Sequence, residues 1–163
     1  MDTLRTERLV LEPLRPEHAA ELYPALADPR LYTYIDRPPP ASLDELTARY
    51  RRIAVRCAPC RAEQWLNWTV RFDGQAIGRV EVTVQEDRTA LLAYELAIAH
   101  QGRGLAAEAC AAVCDALFAE LPLTALVAQV DARNAKSIRL LERLGFTRQR
   151  AEGGELTYLR ERS

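Results

Sequence analysis

The stretch AHQGRGLAAEAC, residues 99–110, places two glycines between an apolar run and a long alanine-rich run. The apolar run LLAYELAIA (91–99) predicts a buried strand. From Leu105 onwards the apolar residues recur with a helical period, which predicts a helix that ends near Glu120, with Pro122 beyond it. A strand that passes through a glycine turn directly into a helix favours a fold in which helices pack on a sheet.

The glycine loop itself indicates an anion site. The first N–H groups of a helix have no partner within the helix, and the helix dipole adds positive potential there. Glycine also lets a ligand approach the backbone closely. Main-chain donors for a phosphate or pyrophosphate are therefore expected on Gly102, Arg103, Gly104, Leu105 and Ala106. A tight turn, in which glycine serves geometry alone, is the alternative interpretation.

The same letters also fit a dinucleotide-binding loop. GRGLAA (102–107) matches G-x-G-x-x-A, and the strand after the helix ends at Asp131, where a ribose-binding acid would stand. Three observations count against NAD(P). Antiparallel strands are predicted before the loop, His100 and Gln101 separate the strand from the first glycine, and residues 132–163 are too few to complete such a fold.

The first part of the chain predicts one strand and two helices. RLVLEPL (8–14) alternates as a strand does, and 15–28 reads as a helix that Pro24 should kink or divide. Ser42, followed three residues later by Glu45, predicts a capping box for a helix over 43–56.

The later part predicts a mixed sheet. Strands over 65–72, 75–84 and 91–99 form an antiparallel meander, and Asp73-Gly74 makes the first hairpin turn. A buried strand follows over 123–130, then a helix that Gly145 closes, and two short strands. We therefore expect an α/β (α+β) fold, with a mixed, mostly antiparallel central sheet and helices on both faces.

Length and charge narrow the class of protein. The chain has 163 residues, which predicts a single domain over 1–163. Lys plus Arg is 22 and Asp plus Glu is 23, and no basic tract is interleaved with aromatic residues, so no nucleic-acid partner is expected. No apolar run is long enough to span a bilayer, and MDTLRTERLVLEP lacks an apolar signal core. These features predict a cytoplasmic protein without a membrane partner.

The cysteines include one pair with the spacing that zinc and redox sites use, although packing or surface roles are the favoured interpretation. Cys57 and Cys60 have CxxC spacing, whereas Cys110 and Cys114 fall on one face of a predicted helix. A zinc site needs about four ligands, and His18 and His100 are the chain's two histidines. We therefore expect no metal.

Three segments together resemble one family. QGRGLA (101–106) is similar to the pyrophosphate loop of the GNAT superfamily of acyl-CoA-dependent N-acetyltransferases, within the longer match YELAIAHQGRGLAAEA (94–109). NAKSIRLLERLGF (134–146) resembles the family's late helix. Residues 4–31 look like the opening of the Rim-type branch, which contains ribosomal-protein N-terminal acetyltransferases.

The resemblance implies acetyl-CoA as co-substrate and an amine as acceptor. Leu96 and Ile98 would then offer backbone groups to the pantetheine arm, and 101–106, from Gln101 to Ala106, would hold the pyrophosphate. Asn134 would hydrogen-bond the cofactor. As a helix N-cap, Asn134 also has an ordinary structural role.

The implied reaction is direct attack of a neutral amine on the thioester. Many family members protonate the leaving thiolate with a tyrosine at the position of Leu141, so Ser137, one helical turn earlier, is the candidate donor here. Glu81 and Glu95 are the candidate bases, because they are carboxylates within otherwise apolar strands. Solvation or pairing with arginine is the alternative for each, and a water chain can also carry the proton.

The acceptor is the least determined part. Tyr34 and Asp36 lie in the segment that walls the acceptor site in the family, although loop packing is the favoured explanation of both. A peptide N-terminus and a small-molecule amine both fit, as do a monomer and a homodimer. A non-catalytic acyl-CoA-binding module and an NAD(P)-binding oxidoreductase are the alternative functions.

Overall fold

The computed structural model describes residues 1–55 and 63–162. In this part of the chain the strands are β1 (Leu4–Arg5), β2 (Leu9–Pro13), β3 (Glu63–Phe72), β4 (Gln75–Gln85), β5 (Thr89–Leu96), β6 (Ala125–Asp131), β7 (Thr147–Glu152) and β8 (Glu155–Glu161). The helices are α1 (His18–Leu26), α2 (Leu43–Ile53), α3 (Leu105–Glu120) and α4 (Ala135–Arg143).

All of these strands form one sheet, in the order β1-β2-β3-β4-β5-β6-β8-β7. Neighbouring strands are antiparallel, except that β5 and β6 are parallel and are connected through α3. The predicted mixed, mostly antiparallel sheet is therefore confirmed. The strand missing from the prediction is β1, whose two residues pair with β2.

Local sequence signals explain several of these boundaries. The Ser42 hydroxyl accepts a hydrogen bond from the Glu45 N–H (3.1 Å), as the capping box predicts, while the Glu45 carboxylate accepts from the N–H of Ala41 (2.8 Å), one residue before the N-cap. Asp73 and Gly74 have φ values of 48° and 78°, as a two-residue hairpin turn requires.

Two predicted segments are shorter in the structure. The strand expected over 91–99 ends at Leu96, because a 3₁₀ turn follows at Ile98–His100, where the His100 N–H donates to the Ala97 carbonyl (2.9 Å). The helix expected over 43–56 ends at Ile53, where the Ala54 N–H donates to the Tyr50 carbonyl.

The helix expected over 15–28 is also shorter. It begins at His18 and ends at Leu26, two residues after Pro24, which has no N–H to donate to a carbonyl one turn earlier. A separate 3₁₀ segment then runs over Pro29–Tyr34, and the Asp28 carboxylate caps it by accepting from the Arg30 N–H.

Helices cover the sheet in two groups. The larger core cluster packs α3 and part of α4 against the sheet, and its fully buried residues include Leu9, Leu11, Val82, Leu105, Val113, Leu117 and Leu126. The smaller cluster packs α1 and α2, through Ala19, Leu22, Leu26, Leu46 and Tyr50, against Leu14 and Ala76. Few sheet residues belong to this second cluster, so much of that face of the sheet carries other side chains.

The cysteines divide between the described and undescribed parts of the chain. Cys110 and Cys114 are free thiols on the buried face of α3, and burial raises the pKa of both, that of Cys114 to about 12. The Cys57 and Cys60 pair lies outside the described residues. None of the helices in 1–55 and 63–162 is long and apolar enough to cross a membrane.

Candidate active site

Strands β5 and β6 pair only at their beginnings. Their parallel register joins Thr89–Leu91 to Ala125–Val127 and then stops, although β5 continues to Leu96 and β6 to Asp131. The backbone of β5 that faces β6 beyond Leu91 therefore has no ladder partner in the described sheet. A cavity of about 1110 Å³ opens here, lined by both strands, the glycine loop and α4.

Most of the predicted site residues line this cavity. They are Tyr34, Glu81, Glu95, Leu96, Ile98, Gln101, Gly102, Gly104, Leu105, Ala106, Asn134 and Ser137. Two predicted residues do not. Asp36 is exposed outside the cavity, and the Arg103 guanidinium stacks on the Phe72 ring, 4.6 Å from its centroid.

The glycine loop has the geometry of an anion-binding turn. Gly102 and Gly104 have φ values of 75° and 77°, which residues with a side chain rarely adopt. Gly104 precedes the first residue of α3, and no side chain caps that helix. The first-turn N–H groups of α3 therefore stay available to an anion in the cavity.

The start of α3 is anchored from the first hairpin. The Glu108 carboxylate accepts hydrogen bonds from the Thr6 hydroxyl (2.5 Å) and from the Arg8 N–H (3.0 Å). The Arg8 side chain also donates to this carboxylate and to the Arg103 carbonyl. Although burial raises the pKa of Glu108, these hydrogen bonds outweigh it, so the pKa lies below its usual value. A fixed carboxylate thus holds the loop in place.

Two of the residues predicted to contact the donor contact each other. The Gln101 side-chain amide donates to the Leu96 carbonyl at 3.1 Å, which ties the loop to the end of β5. Ile98 lies in the following 3₁₀ turn rather than on the strand. The loop and the strand end therefore form one continuous edge of the cavity.

The opposite wall is the first turn of α4. The Asn134 side-chain oxygen accepts from the Ser137 N–H at 3.2 Å, so Asn134 caps this helix. The Ser137 and Tyr94 hydroxyls form a hydrogen bond 2.8 Å long, which joins α4 to β5 across the opening. Burial raises the pKa of Tyr94 to about 12.

The two candidate bases have different surroundings. Both oxygens of Glu95 are engaged, one by Arg37 and the other by Nε of Arg79 at 2.9 Å. Glu95 and Arg79 are opposite each other in the β4–β5 register, and the Glu95 side chain is 8% exposed. Glu81 pairs through one oxygen with Arg79 at 2.8 Å and is 35% exposed.

A family comparison identifies the chain. The model of the acetyltransferase (GNAT) domain matches residues 8–147. The chain belongs to the GNAT family. Family membership confirms the fold, the acetyl-CoA-dependent N-acetyltransferase activity and the co-substrate that the sequence predicted; it favours neither alternative function. An uncharacterized N-acetyltransferase p20 from Bacillus licheniformis is 29% identical over 91% of this chain and 84% of its own length.

Solved structures agree with this assignment. An acetyltransferase from Agrobacterium tumefaciens str. C58 has a TM-score of 0.75 at 28% identity, covering 99% of this chain and 95% of that one. RimL, a ribosomal L7/L12 alpha-N-protein acetyltransferase solved with coenzyme A, has a TM-score of 0.85 at 18% identity, with 98% of each chain covered. This acetyltransferase therefore shares its fold with RimL.

Sequence reasoning missed the arginines of the acetyltransferase's cavity. Arg37, Arg49 and Arg79 all line it, beside the two glutamates. One signal was present in the sequence: Arg79 and Glu81 alternate on a strand, so both side chains leave the same face of the sheet. The hydrogen bond between Tyr94 and Ser137 was also missed, because the two residues are distant in sequence.

Proposed function

We propose that this chain transfers the acetyl group of acetyl-CoA to a primary amine by direct attack within a ternary complex. One observation carries the proposal: the cavity between the diverging β5 and β6 joins the glycine loop at one end to a cluster of charged side chains at the other. Residues 1–163 would act as one acetyltransferase domain. A cytoplasmic location, a monomer or homodimer, and the absence of a nucleic-acid partner stay predictions.

The donor end of the cavity fits a CoA thioester. Two glycines at positive φ and the uncapped start of α3 offer backbone N–H groups to the pyrophosphate. Lys136, Arg139 and Arg143 line the cavity from α4 and add positive charge for the phosphates. Arg103 would contribute its backbone only, since its side chain stacks on Phe72. When it is bound, acetyl-CoA would supply the acetyl group as a thioester, with the CoA thiolate as the leaving group.

The amine must lose a proton before it attacks, because an ammonium has no lone pair. Glu81 supports this role better than Glu95, since one oxygen of Glu81 has no partner in the described part of the chain. Glu95 would instead be a positioning residue, which holds Arg37 and Arg79 in place. Proton transfer by a positioned base contributes about 10²–10⁴-fold in rate.

The leaving thiolate needs a proton or a hydrogen bond. Ser137 lines the cavity and shares a hydrogen bond with Tyr94, so the two hydroxyls form a short donor chain. A tyrosine hydroxyl is protonated at neutral pH, and burial, which raises the pKa of Tyr94 to about 12, extends that state to higher pH. Many family members have a tyrosine where this chain has Leu141, which is buried and has no proton to donate. The pair of hydroxyls would take over the role of that tyrosine.

The acceptor is a peptide N-terminus or a small-molecule amine. RimL is named as an acetyltransferase of the ribosomal protein L7/L12. The microcin C7 self immunity acetyltransferase MccE was solved in complex with acetyl-CoA and AMP. MccE has a TM-score of 0.82 at 17% identity, covering 96% of this chain and 93% of that one. In this chain Tyr34 lines the cavity, with the Arg133 guanidinium 5.9 Å from its ring centroid. Tyr34 and Arg133 would border the acceptor entrance, and exposed Asp36 would act only outside it.

Calorimetric titration with acetyl-CoA, with NADPH as the control ligand, tests the proposal first. Binding of acetyl-CoA and not of NADPH is expected, followed by thiol release in a screen of amines and N-terminal peptides. Binding without release on every amine would support the non-catalytic acyl-CoA-binding module. Binding of NADPH alone would overturn the assignment of the loop.

A further inference from the structure

The face of the sheet under α1 and α2 carries charge where a core is expected. Arg79 and Glu95 are opposite each other on β4 and β5. Glu81, two residues after Arg79 on β4, is opposite Ala93. Arg79 is 3% exposed and Glu95 is 9% exposed. Buried charges are costly unless they are paired or bind something, so this patch needs a reason.

Charges in the patch do not balance. The guanidinium groups of Arg37, Arg49 and Arg79 face the cavity together with the carboxylates of Glu81 and Glu95, which leaves an excess of one positive charge. Arg37 and Arg79 are both engaged by Glu95. Arg49, on α2, has no carboxylate or hydrogen-bond partner in the described part of the chain.

A second unpaired group lies in the same patch. Nη1 of Arg79 is buried and has no hydrogen-bond partner among the described residues, although Nε and Nη2 of this side chain are both paired. Such a donor costs about 1–3 kcal/mol when it is left unsatisfied, and more when it is charged. The undescribed residues 56–62 have the sequence RCAPCRA, which contains no acidic side chain to neutralise it.

We propose that the acceptor of this enzyme carries a carboxylate close to its reacting amine, and that Arg49 and Nη1 of Arg79 bind that carboxylate. The inference rests on the proposed function, because Glu81 beside Arg79 is the proposed base. A carboxylate matches the single excess positive charge of these five side chains. Burial and the charges of Arg79 and Arg37 lower the pKa of Arg49 to about 10, and an anion would relieve that repulsion.

The carboxylate has two possible sources, a side chain of an N-terminal peptide or the α-carboxylate of a free amino acid. The test uses a matched acid and amide for each source. For the peptide these are Asp-Ala-Ala and Asn-Ala-Ala, both with an amidated C-terminus, and for the amino acid they are alanine and alaninamide. Each is titrated by calorimetry into the protein saturated with CoA. In at least one pair we expect the acid to bind at least tenfold more tightly than the amide.

The variant Arg49→Gln should remove that preference, because it deletes the unpaired guanidinium. Arg52→Gln is the matched control: Arg52 lies on the same helix, is exposed and does not line the cavity, so the preference should persist. Equal binding of acid and amide in both pairs, or no binding of any of the four compounds, would overturn the inference. So would an unchanged preference in Arg49→Gln.

These outcomes are separate from those of the proposed function. Acid-selective binding that Arg49→Gln abolishes supports the inference even if no acceptor is acetylated. Conversely, acetylation of the acid and the amide at equal rates, with equal binding, supports the proposed function and rejects the inference.

Discussion

The hydroxyl groups of Tyr94 and Ser137 lie 2.8 Å apart, on β5 and α4 respectively, at the opening between β5 and β6. If this pair protonates the leaving thiolate, Ser137→Ala should lower kcat by roughly tenfold or more and change the affinity for acetyl-CoA much less. Steady-state rates together with calorimetric binding separate the two effects. Equal turnover in the parent and in Ser137→Ala would remove Ser137 as the donor.

The pKa of Tyr94 gives an independent check on the same pair. Burial raises it to about 12, so the hydroxyl stays protonated at pH 10, where an ordinary tyrosine is half ionised. We therefore expect no ionisation of Tyr94 in an ultraviolet titration of the folded protein up to pH 10. Tyr94→Phe provides the difference spectrum, and a Tyr94 phenolate that appears below pH 10 would contradict the assignment.

The glycine loop gives a separate prediction, on the affinity for acetyl-CoA. Gly104→Val should weaken acetyl-CoA binding by at least about tenfold, or about 1.4 kcal/mol, because a branched side chain at a φ of 77° displaces the loop. Gly74→Val is the matched control: its φ is 78°, and Gly74 does not line the cavity. Both variants should lose stability, and only Gly104→Val should lose affinity. Equal affinity in both would show that the loop does not hold the pyrophosphate.

Substitution of the two glutamates should separate catalysis from stability. Glu81→Gln is expected to lower kcat by roughly tenfold to a hundredfold with little effect on the free energy of unfolding. Glu95→Gln breaks a buried ion pair with two arginines, so it should cost about 3 kcal/mol in a denaturant titration. Unchanged kcat in Glu81→Gln would indicate another base or a water chain.

Local signals predicted the helices and strands well because each acts within a few residues. Ser42 and Glu45 predict the start of α2, and Asp73-Gly74 predicts the β3–β4 turn. The predicted end of β5 was wrong, since apolar residues continue through Ile98, whereas the chain turns into a 3₁₀ segment after Ala97. Apolar composition cannot distinguish a buried strand from a buried turn.

The candidate site was predictable where it depends on one segment. The loop 101–106, except Arg103, lines the cavity together with Asn134, and their contacts with the co-substrate stay predictions. The arginine cluster was not predictable, because Arg79 meets Glu95 only through the β4–β5 register, and Arg37 reaches Glu95 from a distant loop. Arg37 lines the cavity whereas the adjacent Asp36 does not. In an extended segment neighbouring side chains point in opposite directions, so a shift of one residue decides which of them reaches the cavity.

The pH dependence of stability should come partly from His18, which is 1% exposed and hydrogen-bonds Thr69 at 2.7 Å. Burial, followed by the charge of Arg15, lowers the pKa of His18 below 6.5. The unfolded chain therefore binds a proton first as pH falls, and stability that is present above pH 6.5 is lost below it.

Denaturant titrations at pH 7.5 and 5.5 should show a lower free energy of unfolding at pH 5.5, in a window above the usual range of carboxyl groups. This difference should shrink in His18→Gln, whereas His100→Gln leaves His18 as the chain's only histidine and so measures its contribution alone. The same pH difference in the parent and in His18→Gln would mean that His18 is not the titrating group.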